Sequence, residues 1–189
     1  MSLLAEVLPD APTTMEGAFE LFDSLPAVEA ESMLGTWHGA EMPTGHPVDG
    51  MLANSGWWGK QFLDPETVHP LLFTTADGRG LWALNPAPAF LGLALATKLP
   101  GLGNRNFVGN VAPLKPVLQA RSPKARLRTT RYRGVETATM IYDQLPVNDV
   151  FRLLDGTAGS ETVLGVMDMR GMEQPYFFLL HRDDSLKLV

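Results

Sequence analysis

The sequence predicts a mainly β fold: an antiparallel β-barrel with an N-terminal helix and a middle helical insertion. Five β-rich runs with turn residues between them fill the last third of the chain, at residues 125–133, 135–143, 147–154, 162–170 and 176–182. Their short connections favour antiparallel neighbours. With about three earlier strands, they suffice for a closed barrel of ~8 strands whose interior holds one small ligand. An open sheet with helices on one side is the alternative architecture.

The earlier elements follow from local patterns. Residues 13–24 carry apolar side chains at helical spacing behind Thr13 or Thr14 as N-cap, so a short helix comes first. Glycines on either side of Trp37 mark a first strand, in which the indole closes one end of the barrel. Asp49 is predicted to cap a short helix near the barrel mouth. Two β-like runs at 68–74 and 80–84 follow, and then a helix at 86–99.

The length of 189 residues and the composition favour one domain. We divide it into an N-terminal helical segment (1–30), a first barrel half (31–120) and a β-meander half (121–189). The 45% of hydrophobic residues, 19% of charged residues and absence of Cys are typical of an ordinary globular protein. No basic signal region opens the chain, which predicts a cytoplasmic protein. The longest apolar run, 86–96, falls short of the ~20 residues of a membrane span.

Charge and motifs exclude several function classes. A net charge of −6 repels a phosphate backbone. The basic strip from Arg121 to Arg133 is therefore interpreted as a solvated strand edge, and no nucleic-acid partner is expected. A Cys nucleophile is excluded, and no G-x-S-x-G elbow surrounds a serine. The four histidines lack paired metal spacing, so no metal site is predicted.

Strand alternation singles out two carboxylates. It places Asp149 on the most apolar face of its strand, together with Phe151, and places Asp168 beyond two apolar residues of the next strand, in phase with Arg170. A carboxylate that faces a core must be paired, hydrogen-bonded or protonated. The functional interpretation is a cavity acid or base with a perturbed pKa. The alternative is a structural ion pair with Arg170.

Three further side chains could carry acid–base chemistry. Tyr142 shares an inward phase with Met140. Lys60 lies in an apolar neighbourhood, where burial would lower the pKa of its amine enough for proton transfer or imine formation; a lysine at the rim with its amine in water is the alternative. His46 belongs to a polar turn and suits a switch or a general base, although turn histidines commonly serve as surface or hydrogen-bonding residues.

The walls of the predicted cavity are apolar. Trp57 and Trp58 are adjacent and therefore point in different directions, so one of them is expected to face the cavity while the other covers the outside. Core packing alone is the alternative for both. Met140, Phe151 and Arg170 complete the predicted ligand contacts.

Several blocks resemble a known family. The segments Gly35-Thr36-Trp37-His38-Gly39, Thr44-Gly45-His46-Pro47-Val48-Asp49-Gly50 and Gly56-Trp57-Trp58-Gly59-Lys60 resemble the GXWXG domain family. The segments Arg133-Gly134, Tyr142-Asp143-Gln144-Leu145-Pro146-Val147-Asn148-Asp149 and Val166-Met167-Asp168 resemble the uncharacterised domain that usually follows it. The resemblance implies a calycin-like β-barrel, akin to lipocalins, fatty-acid-binding proteins and nitrobindins. Nitrobindin-like barrels bind haem through a histidine on a late strand, the position that His181 loosely matches.

These observations support three hypotheses of function. The first is a binding module for a small apolar molecule that is lipid-like, terpenoid or aromatic. The second is a cofactor-independent isomerase, cyclase, hydratase or hydrolase that uses Asp149, Asp168, Tyr142, His46 or Lys60. The third is a haem protein. Apart from that third hypothesis no cofactor is predicted, and the sequence leaves a homo-oligomer open.

Overall fold

The computed structural model describes residues 2–88 and 114–189, which form one antiparallel sheet with few helices. Its nine strands are β1 (Gly35–Glu41), β2 (Trp57–Asp64), β3 (Thr67–Thr74), β4 (Leu81–Ala83), β5 (Ala125–Tyr132), β6 (Val135–Tyr142), β7 (Val147–Asp155), β8 (Thr162–Met169) and β9 (Tyr176–Arg182). The helices are α1 (Leu3–Val7), α2 (Met15–Ser24), α3 (Met51–Ser55) and α4 (Lys115–Leu118), and a 3-10 turn spans Ala30–Met33.

Eight of the strands close into a ring. The order β2-β1-β9-β8-β7-β6-β5-β3 returns to its start because β3 also pairs with β2, and β4 joins the sheet on β3. The seam between β3 and β5 is short: it has one register pair, Val68 with Ala125, and the Lys124 N–H donates to the Val68 carbonyl. The ring therefore has an interior face and an exterior face, and side chains alternate between them.

The interior face carries the main hydrophobic cluster, which includes Trp37. The Trp37 Nε1–H donates to the Met33 carbonyl oxygen at 2.7 Å. Arg182 stacks its guanidinium 4.5 Å from the indole centroid and donates to the carbonyls of Ser32 and Leu34. The 3-10 turn is thus fastened to β1 through Trp37 and to β9 through Arg182.

The exterior of β7–β9 is covered as well. Helix α2 begins at its N-cap Thr14, whose hydroxyl accepts the Gly17 N–H at 3.2 Å. Its buried residues Ala18 and Phe22 pack on Leu164 and other outward side chains of β7–β9. Both faces of β8 are consequently buried, so its sequence is nearly continuous in apolar residues.

Most predicted elements are confirmed. The five late strands end within one residue of their expected bounds, and the N-terminal helix lies where helical spacing put it. Strand β2 was not predicted, because its run of Trp, Gly and Lys lacks a β-branched or alternating pattern. The helix expected at 86–99 falls mostly outside the described residues. Among those that are described, no helix is long and apolar enough to cross a membrane.

Candidate functional site

A buried ion pair lies inside the ring. The Lys60 Nζ is 2.7 Å from the Asp149 Oδ2, and the two side chains are only 3% and 1% exposed. The same ammonium donates to the Pro70 carbonyl oxygen at 3.1 Å. Two charges removed from water to this degree are costly unless they are paired, so each of these groups depends on the other.

The two residues meet across the interior rather than along one pair of strands. Lys60 is on β2, opposite Trp37 of β1. Asp149 is on β7, between Met140 of β6 and Met167 of β8. Because β2 and β7 are not neighbours in the ring, only closure of the ring brings the amine to the carboxylate.

Aromatic rings surround the ammonium. The Lys60 Nζ lies 4.9 Å from the ring centroid of Phe178, 5.4 Å from that of Trp57 and 5.9 Å from that of Tyr142. Two glycines make room for these rings: a Cβ on Gly39 would come within 2.1 Å of the Trp57 indole, and a Cβ on Gly165 within 2.4 Å of the Phe178 ring. The second glycine of the G-x-W-x-G segment thus serves to seat Trp57 beside the amine.

Burial moves the proton affinities of the pair toward each other. Desolvation lowers the pKa of Lys60, and the charge of Asp149 and its hydrogen bond oppose this shift. Desolvation raises the pKa of Asp149, against the charge and hydrogen bond of Lys60 and a contact with Tyr142. The neutral amine and neutral acid therefore lie closer in free energy to the ion pair than they would in water. At 2.7 Å the proton can pass directly between the two groups.

Tyr142 adds a hydroxyl beside the carboxylate. Burial and then the Asp149 charge raise the pKa of Tyr142 well above its ordinary value, so the phenol stays protonated and acts as a hydrogen-bond donor. In the described part of the chain, no hydrogen bond of normal geometry reaches the Asp149 Oδ1. One carboxylate oxygen is thus left to accept a hydrogen bond.

All three tyrosines of the chain should resist alkaline titration. The pKa values of Tyr132, Tyr142 and Tyr176 are all raised, with burial as the largest cause. A raised folded-state pKa means that the folded chain keeps protons that the unfolded chain releases above pH ~10, so this stabilisation is lost as the pH rises further. We expect little tyrosinate absorbance at pH ~10 in the folded protein and its appearance together with unfolding followed by circular dichroism. About half of the full tyrosinate signal from the folded state at that pH, as exposed phenols give, would contradict the burial of these phenols.

Two residues that the sequence predicts in the site, Asp168 and Arg170, lie away from the Lys60–Asp149 pair. In the β7–β8 register Asp168 is opposite Asn148, whereas Asp149 is opposite Met167, so Asp168 points outward and is exposed. The phase was misread because the outward residues of β8 are also apolar, being covered by α2. Arg170 lies beyond β8 and is exposed, so the expected pairing of a buried carboxylate with Arg170 is wrong.

His46 is buried in a loop and has a structural environment. Its Nε2 is 3.0 Å from the Gln174 carbonyl oxygen, and its Nδ1 accepts the Val48 N–H at 3.2 Å. A neutral imidazole protonated at Nε2 satisfies both contacts, and its ring packs edge-on against Tyr176. His46 therefore joins the loop to the start of β9, and it makes no contact with the Lys60–Asp149 pair in the described structure.

The carboxylate that anchors α3 is not the one that the sequence suggested. Asp49 was expected to cap the short helix α3, but its Oδ2 accepts the backbone N–H groups of the turn 44–46 instead. Glu41, at the end of β1, accepts the N–H groups of Gly50, Leu52 and Ala53 and so anchors α3. Glu41 was not identified from the sequence, since its partners are set by the path of the loop.

The adjacent tryptophans face opposite sides of the sheet. Trp57 lies in the interior cluster and donates its Nε1–H to the Gly59 carbonyl at 2.9 Å. Trp58 is outside, stacked on His38 with ring centroids 5.0 Å apart. Met140, Phe151 and Tyr142 share the interior with Trp57. These four predicted residues are therefore brought together with Lys60 and Asp149.

His181 does not suit a haem held inside the ring. On β9 the inward side chains include Phe178 and Leu180, so His181 points outward, where its Nδ1 is 2.8 Å from the Thr162 Oγ1. The residues present therefore do not fit a nitrobindin-like haem site.

A separate groove lies on the exterior. It has a volume of about 300 Å³ and is lined by residues that include Thr67, His69, Arg121, Ser122 and Leu188. Burial lowers the pKa of His69, one of the lining residues. None of the residues predicted as ligand or catalytic groups lines this groove, so it is distinct from the interior cluster.

Comparisons with known proteins match two separate parts of the chain. A family described as GXWXG protein matches residues 20–78, and a domain of unknown function (DUF4334) matches residues 123–182. A crystal structure of a protein from Thermomonospora curvata superposes with a TM-score of 0.66 at 29% identity, covering 95% of each chain. No curated protein matches the sequence. Lys60 lies within the first matched range and Asp149 within the second, so the interior pair is assembled from both.

Proposed function

We propose that this chain, which joins a GXWXG domain to a DUF4334 domain, binds a small, largely apolar molecule inside its ring of strands. We interpret the ring as a calycin-like barrel, with lipid-like, terpenoid or aromatic ligands. One polar group of the ligand would be held against Lys60 and Asp149. Apolar walls would supply the affinity and the buried polar groups the orientation, as in most small-molecule sites.

The observation that carries the proposal is the Lys60–Asp149 pair in an aromatic surround. For stability alone, well-packed hydrophobic residues serve as well as a buried ion pair or better. A ligand that bears a hydroxyl or a carbonyl would use the hydrogen-bonding capacity left at the pair, including the Asp149 Oδ1. The ion pair is then a recognition device rather than a source of stability.

A second candidate is acid–base catalysis on the same molecule. It is favoured by the opposite pKa shifts of Lys60 and Asp149 at 2.7 Å, which give one acid and one base in direct contact. The protonated Tyr142 hydroxyl would stabilise negative charge that develops on a substrate oxygen. Isomerisation, cyclisation, hydration and hydrolysis all use such a set without a cofactor.

Trp57→Phe and Trp58→Phe form a matched pair that tests interior binding. We expect saturable changes in tryptophan fluorescence when the wild type is titrated with geraniol or cinnamyl alcohol. Trp58→Phe should keep this response and Trp57→Phe should lose most of it, because of these two residues Trp57 lies in the interior cluster beside Lys60 and Trp58 lies outside it. Loss in Trp58→Phe with retention in Trp57→Phe would place binding outside the ring and overturn the proposal.

A further inference from the structure

We propose that Lys60 is a nucleophile that condenses with an apolar aldehyde or ketone to form an imine inside the ring. The inference rests on the proposed function, because the carbonyl compound must first enter the interior. It names the chemical class of the ligand and the atom that would bond to it. It also assigns Asp149 as the group that moves the protons.

The geometry isolates one amine for this chemistry. Four lysines lie in the described part of the chain, and Lys115, Lys124 and Lys187 are partly or fully exposed there. Of these four lysines only Lys60 is enclosed, with its Nζ between two aromatic rings and a carboxylate. An amine in water is protonated and not nucleophilic at neutral pH, whereas a desolvated amine beside a proton acceptor can be neutral.

Asp149 completes the reaction by returning the proton. The Lys60 ammonium transfers a proton to Asp149, which leaves a neutral amine and a carboxylic acid. The nitrogen adds to the carbonyl carbon, and its own proton moves to the former carbonyl oxygen to give a carbinolamine. Asp149 then protonates the hydroxyl, the C–O bond breaks and water leaves. The products are a protonated imine and a carboxylate, so the ion pair is restored with the new cation.

The surroundings suit each species in this sequence. The protonated imine keeps the positive charge where Phe178 and Trp57 present their faces to the ammonium. The Tyr142 hydroxyl, which remains protonated, can donate to the carbonyl oxygen while the C–N bond forms. The aromatic walls exclude bulk water, which would otherwise hydrolyse the imine.

Borohydride trapping with trans-cinnamaldehyde tests the inference on the full chain. We expect sodium borohydride to fix one aldehyde per chain, with a mass increase of the aldehyde less one oxygen atom. Peptide mapping of the wild type should place this adduct on Lys60. Labelling of Lys60 should be faster than that of Lys115, Lys124 or Lys187 by about ten-fold or more, because only the Lys60 amine has a positioned acid–base group within hydrogen-bonding distance among these four. Label on the surface lysines alone would overturn the inference without any variant being made.

Cinnamyl alcohol separates this inference from the proposed function, because it matches the aldehyde in shape but cannot form an imine. Saturable binding of the alcohol with no trapping of the aldehyde at Lys60 would overturn the imine and leave interior binding intact. Absence of both would overturn both. Lys60→Arg should yield no interior adduct, because a guanidinium does not form the imine, and Asp149→Asn should slow trapping by about ten-fold or more, as expected when a positioned acid–base group is removed. Unchanged trapping in Asp149→Asn would contradict the role of Asp149.

Discussion

Replacing Asp149 with Asn should destabilise the fold by about 3–5 kcal/mol near neutral pH, the cost of leaving a buried charge without its partner. The amide preserves shape but cannot balance the Lys60 ammonium, which is 3% exposed and has the Pro70 carbonyl as its other hydrogen-bond acceptor in the described structure. The free energy of unfolding in urea measures this loss. If the proposed function is correct, affinity for cinnamyl alcohol per folded molecule should fall as well.

The pH dependence of this deficit has a definite sign. In Asp149→Asn the pKa of Lys60 loses the charge that opposes its lowering by burial, so it falls further. Between that lowered value and the unfolded value of ~10.4, the unfolded chain binds more protons than the folded chain. Stability therefore rises with pH across this interval, and the deficit against the wild type should narrow from pH 7 toward pH ~10.

Two further variants distinguish the loss of the charged partner of Lys60 from a general destabilisation of the fold. The double replacement of Lys60 by Met and Asp149 by Leu removes both charges and should recover most of the lost stability. Asp143→Asn breaks a surface ion pair, in which the Arg126 side chain is 46% exposed and that of Asp143 37%. This replacement should change the free energy of unfolding by less than about 1 kcal/mol. A double variant as unstable as Asp149→Asn would contradict the charge argument. If Asp149→Asn is strongly destabilised but its affinity for cinnamyl alcohol per folded molecule is unchanged, the ion pair has a structural role only.

Replacing Gly59 with Ala should cost at least about 3 kcal/mol, at the severe end of overpacking. The added Cβ would lie 1.9 Å from the Trp37 carbonyl oxygen and 3.1 Å from the Gly39 nitrogen. These atoms belong to the backbone of β1, so the clash cannot be relieved by a side-chain rotation. The two strands would have to separate where Lys60 and Trp57 are positioned, and urea unfolding together with alcohol binding should both report it.

Gly45→Ala is the matched control for this prediction. Gly45 has a φ of 81°, but no atom lies within 4 Å of a Cβ built on it. Its replacement should cost only the left-handed backbone penalty of about 1–2 kcal/mol. Equal losses in the two variants would show that backbone conformation, rather than the close approach of β1 and β2, dominates at Gly59.

The sequence predicts the late strands well because turn residues lie between them and mark where each strand ends. In β7 the alternation also predicts that Asp149 faces the core, since it shares its phase with Val147, Phe151 and Leu153, whereas the other phase carries Asn148 and Arg152. The same rule fails in β8, where α2 buries the outward residues and both phases look alike. Asp168 was assigned to the wrong face for this reason, and Arg170 with it.

The two adjacent tryptophans show what strand alternation can and cannot predict. Adjacency predicts that Trp57 and Trp58 point to opposite sides, as they do. It does not say which side is interior, because β2 was not recognised as a strand and irregular register with β3 shifts its phase. The role of Gly39 in seating Trp57 likewise depends on an approach between residues on different strands.

By itself the sequence determined the mainly β character of the chain, the antiparallel order of its last five strands and the inward phase of Asp149, because turn chemistry and the two-residue period of a strand act over short distances. Only the tertiary structure decided that the strands close into a ring, that Lys60 is the partner of Asp149 and that His46, Asp168 and Arg170 lie away from that pair. Those relations join β2 to β7 across the interior. Local patterns carry no record of distances between elements so far apart in the chain, and the burial that sets the charges of the pair exists only once the ring is closed.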